Sequence, residues 1–270
     1  MRRLLITADD YGMSQAVNRA IEDGTEKGII KNVNIMTNMP FYEECSDLSA
    51  RDVSIGIHIN LTAGRPVRDT GSVSTLVDEQ GNFLSGEEFR RRWKSGKISG
   101  AEVLREVAAQ TDRLLDLGIK PCYWNTHQHI HLLPGFVKLL APVLKERQIP
   151  AMRNNTHIMP VGSRQTASRR IKNVIIKRMF RRYSKIYTMP DGLLYMYDMD
   201  IQKVGGWLRA FNWPDGKTYE LMIHPAAAVD SLFFGNLTEE RLKEYKFAKS
   251  ADNLEKFRAC QIELIRFEDI

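Results

Sequence analysis

Four short apolar runs in this chain each end in side chains that bind metals or move protons. Leu4-Leu5-Ile6-Thr7-Ala8 leads into Asp9-Asp10, and Ser54-Ile55-Gly56-Ile57 into His58. Cys122-Tyr123-Trp124-Asn125-Thr126 leads into His127-Gln128-His129-Ile130-His131, and Tyr219-Glu220-Leu221-Met222-Ile223 into His224. Five of the six histidines therefore sit at strand-like C-termini. In folds built from repeated strand–helix units those ends share one face, and that face carries the chemistry. The pattern predicts a parallel α/β fold with its site at the strand ends.

The intervening sequence supports that architecture. Ser14 is placed to cap a helix running to about Lys27, with Gly28 as its stop. Val33–Thr37 and the Ile55–Leu61 region read as strands, and Thr62–Gly86 as a long functional loop rich in Gly, Pro, Asp and Asn. Glu87–Trp93 and Ala101–Leu117 read as helices, Tyr123–Thr126 as a strand, and Pro134 as the opening of a further helix. Ala151–Arg153 is a weak strand, Gly192–Asp200 lacks periodicity, and Ile201–Phe211 reads as a helix. Glu220–Ile223, helices Thr238–Ala248 and Ala251–Ala259, and a closing strand Ile262–Arg266 complete the alternation.

At 270 residues and 43% hydrophobic, the chain suits one large α/β domain, and the expectation is a single domain over 1–270. No run of about 20 apolar residues suggests a membrane span. The N-terminus leads at once into a strand, which leaves no room for a secretory signal. Cys45, Cys122 and Cys260 are widely spaced and odd in number, as in a reducing cytoplasm. Cytoplasmic localisation is expected.

Adjacent carboxylates repel, so Asp9-Asp10 at a buried strand end calls for a cation. Strand alternation puts Gly56, His58 and Asn60 on one face. His127, His129 and His131 also alternate if the chain stays extended, but same-face positions are then about 6.5–7 Å apart. One of them, the first, is expected to bind a metal, while the others line the pocket or support it. Asp10, His58 and His127 thus form a two-histidine, one-carboxylate set with positions left open for water and substrate. A divalent ion there would polarise a carbonyl oxygen and lower the pKa of bound water. Asp9 is free to act as base, and His224, extended before Pro225, as general acid. Arg153, at another strand end, is expected to orient Asp9 or bind substrate.

At these residues the chain resembles the YdjC-like carbohydrate deacetylases, which include chitooligosaccharide deacetylases. The likeness lies in Thr7-Ala8-Asp9-Asp10-Tyr11-Gly12, Gly56-Ile57-His58-Ile59-Asn60-Leu61-Thr62, His127-Gln128-His129-Ile130-His131-Leu132-Leu133-Pro134 and Met222-Ile223-His224-Pro225. The resemblance implies a distorted (β/α) barrel of the glycoside hydrolase/deacetylase type. It implies a divalent metal, Mg2+ or Zn2+, on Asp10, His58 and His127, with Asp9 as base and His224 as acid or transition-state partner. His129, His131, Arg153 and Asn60 are expected to serve substrate. Asn125-Thr126 departs from the Asp-Ser of many members, and a neutral Asn orients a ligand histidine more weakly than a carboxylate.

The expected reaction is removal of an acetyl group from an N-acetylated sugar, giving acetate and a free amine, with the amine leaving from an imidazolium-protonated state. Alternatives are hydrolysis of another sugar or phosphoester bond, or sugar or lipid binding without turnover. Paired glycosidase acids need about 5–9 Å between them and usually come from separate strands, which disfavours Asp9 and Asp10 in that role.

Arg164 to Lys185 holds nine cations and no acid; without them the net charge of +6 becomes −3. Ile171, Val174, Ile175, Arg178 and Met179 fall at helical spacing, predicting a basic helical insertion around 164–185. Its apolar stripe should dock on the body while the charges stay in water. An oligosaccharide substrate, anionic in character, and peripheral membrane contact suit such a segment, and a dimer is compatible with it. No nucleic-acid motif accompanies it.

Overall fold

The structure, a computed structural model, describes residues 2–158, 166–195, 211, 213–229 and 238–270. Among these residues, eight parallel strands form one sheet: β1 (Arg2–Tyr11), β2 (Asn32–Ile35), β3 (Ser54–Ile59), β4 (Tyr123–Thr126), β5 (Ala151–Met152), β6 (Gly192–Tyr195), β7 (Thr218–Ile223) and β8 (Ile262–Leu264). Their order is β5-β4-β3-β2-β1-β7-β6, with β8 paired to β1. The start of β1 pairs with β8 and its end with β2, so one edge of this strand serves two neighbours. Beyond the strands, Ala151 bridges Thr188 and His157 bridges Leu193, bringing the two ends of the sheet together. The result is a distorted α/β barrel, as expected.

Helices α1 (Gln15–Glu26), α2 (Gly86–Lys94), α3 (Gly100–Asp116), α4 (Phe136–Glu146), α5 (Ala167–Tyr183), α6 (Thr238–Ala248) and α7 (Ala251–Ala259) surround the sheet. Ser14 caps α1 by accepting from the Val17 amide. The apolar positions Val17, Ala20 and Ile21 are buried, as their helical spacing requires. Pro134 does not open α4; the helix begins at Phe136 behind Gly135, whose φ of 78° suits a residue without Cβ. Gly192–Tyr195, which lacks periodicity in sequence, is strand β6, buried against β7. The predicted helix Ile201–Phe211 lies outside the described residues except for Phe211.

Two layers of packing follow from strand alternation. Outward residues such as Leu4, Ile6 and Ala8 join the main core under the helices. Inside, Leu5, Tyr123, Ala151, Ile265 and Phe267 form a small apolar plug, with the Tyr123 and Phe267 rings stacked at 3.8 Å. Gly56 makes room for it: a Cβ there would lie 2.5 Å from Tyr123 and from Asn34 Oδ1. Above the plug the interior becomes polar, and this polar layer holds the site.

The 62–86 segment is tied down rather than loose. Glu102, Glu106 and Gln110 recur at four-residue spacing along α3 and so share one face. Glu106 accepts from the Val67 and Arg68 amides, Glu102 from the Thr75 amide, and Gln110 bonds both backbone groups of Asn60. These bonds pin a segment whose regular structure is a 3-10 turn at Thr70–Leu76 and a bridge between Val77 and Phe83.

Candidate metal centre and active site

Neighbouring residues on a strand point to opposite faces, yet Asp9 and Asp10 both reach the site. Asp10 does so because its φ is 72°. The β1–β2 register also shifts between Ala8 and Tyr11. Left-handed backbone is uncommon for a non-glycine residue, although Asp tolerates it better than most.

Asp10 Oδ1 lies 3.3 Å from His58 Nε2 and 3.1 Å from His127 Nδ1. One ligand atom from each residue falls within 4.8 Å of the others. Tetrahedral ligands at 2.0–2.2 Å from an ion are about 3.4 Å apart, so this donor set fits a divalent metal. The other Asp10 oxygen, Oδ2, accepts from Arg241 Nη2 at 2.5 Å. Burial opposes ionisation of Asp10, but Arg241, with His127 and His58, holds its carboxyl well below the usual carboxylate range.

Asp9 is the anionic end of a buried chain of charges. Arg153 grips it with two bonds, Nη1 to Oδ2 at 2.6 Å and Nη2 to Oδ1 at 2.9 Å, and also pairs with Glu220 at 2.7 Å. Asn34 donates to Asp9 Oδ1 at 2.6 Å. Burial alone would raise the Asp9 pKa; Arg153 overcomes it and holds the group far below its ordinary value. Burial raises that of Glu220 despite the same guanidinium.

Asn125 stands between this chain of charges and the metal set. Its amide is 2.6 Å from His58 Nδ1. Turned so that its nitrogen faces His58, its oxygen accepts from Arg153 Nη1 at 2.6 Å and from Asn34 at 2.9 Å. That arrangement matches donors to acceptors and leaves the His58 proton on Nε2, facing Asp10. Coordination through Nε2 needs the proton on Nδ1 instead, and then two donors meet. A carboxylate at 125 could accept from both sides; an amide cannot.

His224, just beyond β7, places Nε2 3.9 Å from Asp9 Oδ2 and Nδ1 3.9 Å from Glu244 Oε2. Its backbone N–H donates to Glu244. Burial pushes the imidazole down to about 4, against the pull of Asp10 and Asp9, and pushes Glu244 up to about 7. Burial thus favours the neutral imidazole of His224 at rest.

The four residues expected to serve substrate occupy four different environments. Asn60 is fully buried; its oxygen accepts from the Thr62 and Ala63 amides and its nitrogen donates to Asn38 and Ala63, so it closes a turn. Arg153 is fully buried and orients Asp9. The histidine triplet is not extended: Gln128 and His129 have φ of 51° and 53° within a 3-10 turn spanning His127–Leu132. This turn leaves the His129 and His131 rings edge to face, 6.1 Å apart. His131 is buried, with Nδ1 2.6 Å from Thr126 Oγ1 and Nε2 2.6 Å from Asn155 Oδ1, and burial pushes it down to about 3. His129 remains half-buried, 3.1 Å from the Asn155 amide nitrogen. Of the four, it alone keeps partial exposure near the mouth.

Arg241, Glu244, Glu220, Asn34 and Asn155 escaped the sequence analysis. Arg241 and Glu244 are buried on α6 together with Phe247 and Ala248, so charged and apolar residues share its inner side. Charged residues three apart facing inward give no periodic signal. Glu220 sits mid-strand in an apolar run, and a lone acid there was itself a usable clue.

A distorted α/β barrel with a two-histidine, one-carboxylate cluster at the strand C-termini is thus the class this molecule falls into. The YdjC-like protein family model matches residues 3–259, and the chain belongs to that family. A carbohydrate deacetylase of Clostridium beijerinckii is 29% identical over 99% of this chain and 100% of its own length. That of Geobacillus stearothermophilus is 29% identical over 83% of this chain and 80% of its own. A crystal structure from Enterococcus faecalis V583, provisionally described as a cellobiose-phosphate cleavage protein, superposes with a TM-score of 0.80. It is 23% identical, covers 99% of this chain and 98% of its own, and supports the fold.

Proposed function

We propose that this protein is a metal-dependent hydrolase that removes the acetyl group from an N-acetylated sugar. The observation that carries the reading is the meeting of Asp10, His58 and His127 beside Asp9 and His224. Relatives named as carbohydrate deacetylases, matching along the whole chain, support it. Two imidazoles with one carboxylate suit zinc, and with it manganese, iron or cobalt, better than magnesium. Such an ion, when bound, would supply Lewis-acid polarisation of the acetamide carbonyl and acidify water.

The protein's own groups account for the proton movements. Asp9 stays ionised at working pH because of Arg153, so it is always ready to take the proton of the attacking water. Being a weak base, it does not retain that proton. His224 Nε2, 3.9 Å away, is the next acceptor. It delivers the proton to the amine nitrogen as the C–N bond breaks, giving acetate and a free amino sugar. Glu244 fixes the His224 backbone and keeps the ring facing Asp9.

The experiment is acetate release from N-acetylglucosamine oligomers. Protein stripped by chelator should be inactive and should recover on reloading with Zn2+ or Mn2+. No acetate from any N-acetylated sugar with the reloaded protein would overturn the proposal.

A further inference from the structure

Helix α5 differs from the docked amphipathic helix expected from sequence. Its contact with the body runs through Phe180, which is buried, and through Ile176, Met179 and Tyr183. Ile171, Val174 and Ile175 do not dock: they are 62%, 66% and 63% exposed, and Ile186 just beyond the helix is 62% exposed. Among the described residues, four of the six exposed large apolar side chains lie between 171 and 186. At 100° per residue, Arg178 and Arg182 project along this same outer face, with Arg181 at its flank. The helix thus has two apolar faces, one packed on the barrel and one that no described residue covers.

Eight of the nine cations of the segment are described: Arg169, Arg170, Lys172, Lys177, Arg178, Arg181, Arg182 and Lys185. Among the described residues, none of these eight has a carboxylate within ion-pair distance. Exposed aliphatic side chains ringed by arginines that have no acidic partner among the described residues fit a surface that is apolar beneath and anionic on top. We propose that α5 is an interfacial helix that docks the protein on an anionic lipid bilayer. Ile171, Val174 and Ile175 enter at the acyl boundary while the arginines reach lipid phosphates. Charge decides against a symmetric contact with a second copy, which would set these cations against themselves. Aliphatic chemistry decides against nucleic acid, because the outer face offers no ring to stack on bases.

The helix lies beside the site. Asn173 bonds both backbone groups of His157, and the Phe180 ring is 6.2 Å from that of His131. With no helix among the described residues long and apolar enough to cross a membrane, the attachment is peripheral.

The test is co-sedimentation of the full-length protein with phosphatidylcholine vesicles, with and without phosphatidylglycerol, at physiological salt. Binding is expected only with phosphatidylglycerol present. The triple variant Ile171→Ser, Val174→Ser, Ile175→Ser should bind at least about tenfold more weakly. Replacing Arg178, Arg181 and Arg182 by Gln should cost about 10²-fold. Circular dichroism and hydrolysis of a soluble substrate should be unchanged in both. Absence of binding to the anionic vesicles overturns the proposal. So does serine-variant binding equal to wild type, which would mean charge adsorption alone. A serine-sensitive dimer in sedimentation equilibrium, or an oligonucleotide bound more tightly than the vesicles, would assign the face to another partner and also overturn it.

Discussion

Arg241 Nη2 lies 2.5 Å from Asp10 Oδ2, on the side of the carboxylate opposite the two histidines. The guanidinium thereby restrains a left-handed residue and leaves one oxygen for the proposed ion. Removing one partner of a buried ion pair typically costs about 3–5 kcal/mol, because the other charge is left bare. Arg241→Met is expected to lower stability by about that much in the metal-free protein. A bound divalent cation supplies replacement charge, so Zn2+ should restore more stability to the variant than to wild type. Urea denaturation with and without Zn2+ measures this, and equal restoration would remove the coupling.

Asp9→Asn separates chemistry from metal binding. Asp9 touches Arg153, Asn34 and His224 but is not in the ligand cluster. The variant should keep its metal, measured by elemental analysis, while kcat falls on the order of 10²-fold or more, as for a lost general base. A near-normal kcat would exclude Asp9 from proton transfer.

Asn125→Asp should tighten metal binding. A carboxylate can accept from His58 Nδ1–H and from Arg153 together, which releases Nε2 for coordination. Altered support of a ligand histidine commonly changes metal affinity by about 10–100-fold. Competition with a chromogenic chelator should therefore show at least a tenfold lower Kd in the variant. Unchanged or weaker binding would show that amide orientation does not govern His58.

His131 predicts an acid-labile component of stability. Its folded pKa, about 3, lies below the ordinary 6.5 because burial disfavours the charged ring. The neutral form is thus what the fold holds. The stabilisation is complete above pH 6.5 and is lost as pH falls toward 3. By pH 5 the loss is about 2 kcal/mol. His131→Gln cannot titrate, so its stability should fall by about that much less between pH 7 and pH 5. Denaturation midpoints at the two pH values give the comparison, and identical losses would place the lability elsewhere.

The strand–helix alternation and the face on which the polar residues gather are legible in local sequence alone. Periodicity and caps are local, and a run such as Leu4–Ala8 declares its burial without reference to the rest of the chain. The cluster Asp10, His58 and His127 was legible for the same reason: each closes an apolar run, and parallel strands bring such ends together. What each polar group then does depends on contacts between distant parts of the chain. Asp10 turns into the site through its backbone, and a tight turn sends His131 inward to Thr126 and Asn155. The partners of Asp9 and Asp10, Arg153 and Arg241, lie 144 and 231 residues away, beyond the reach of any local pattern. In α5 the spacing announced an apolar stripe, but which stripe met the barrel depended on helix rotation. That rotation was set by Phe180 and Asn173 finding partners on other elements, leaving Ile171, Val174 and Ile175 in water.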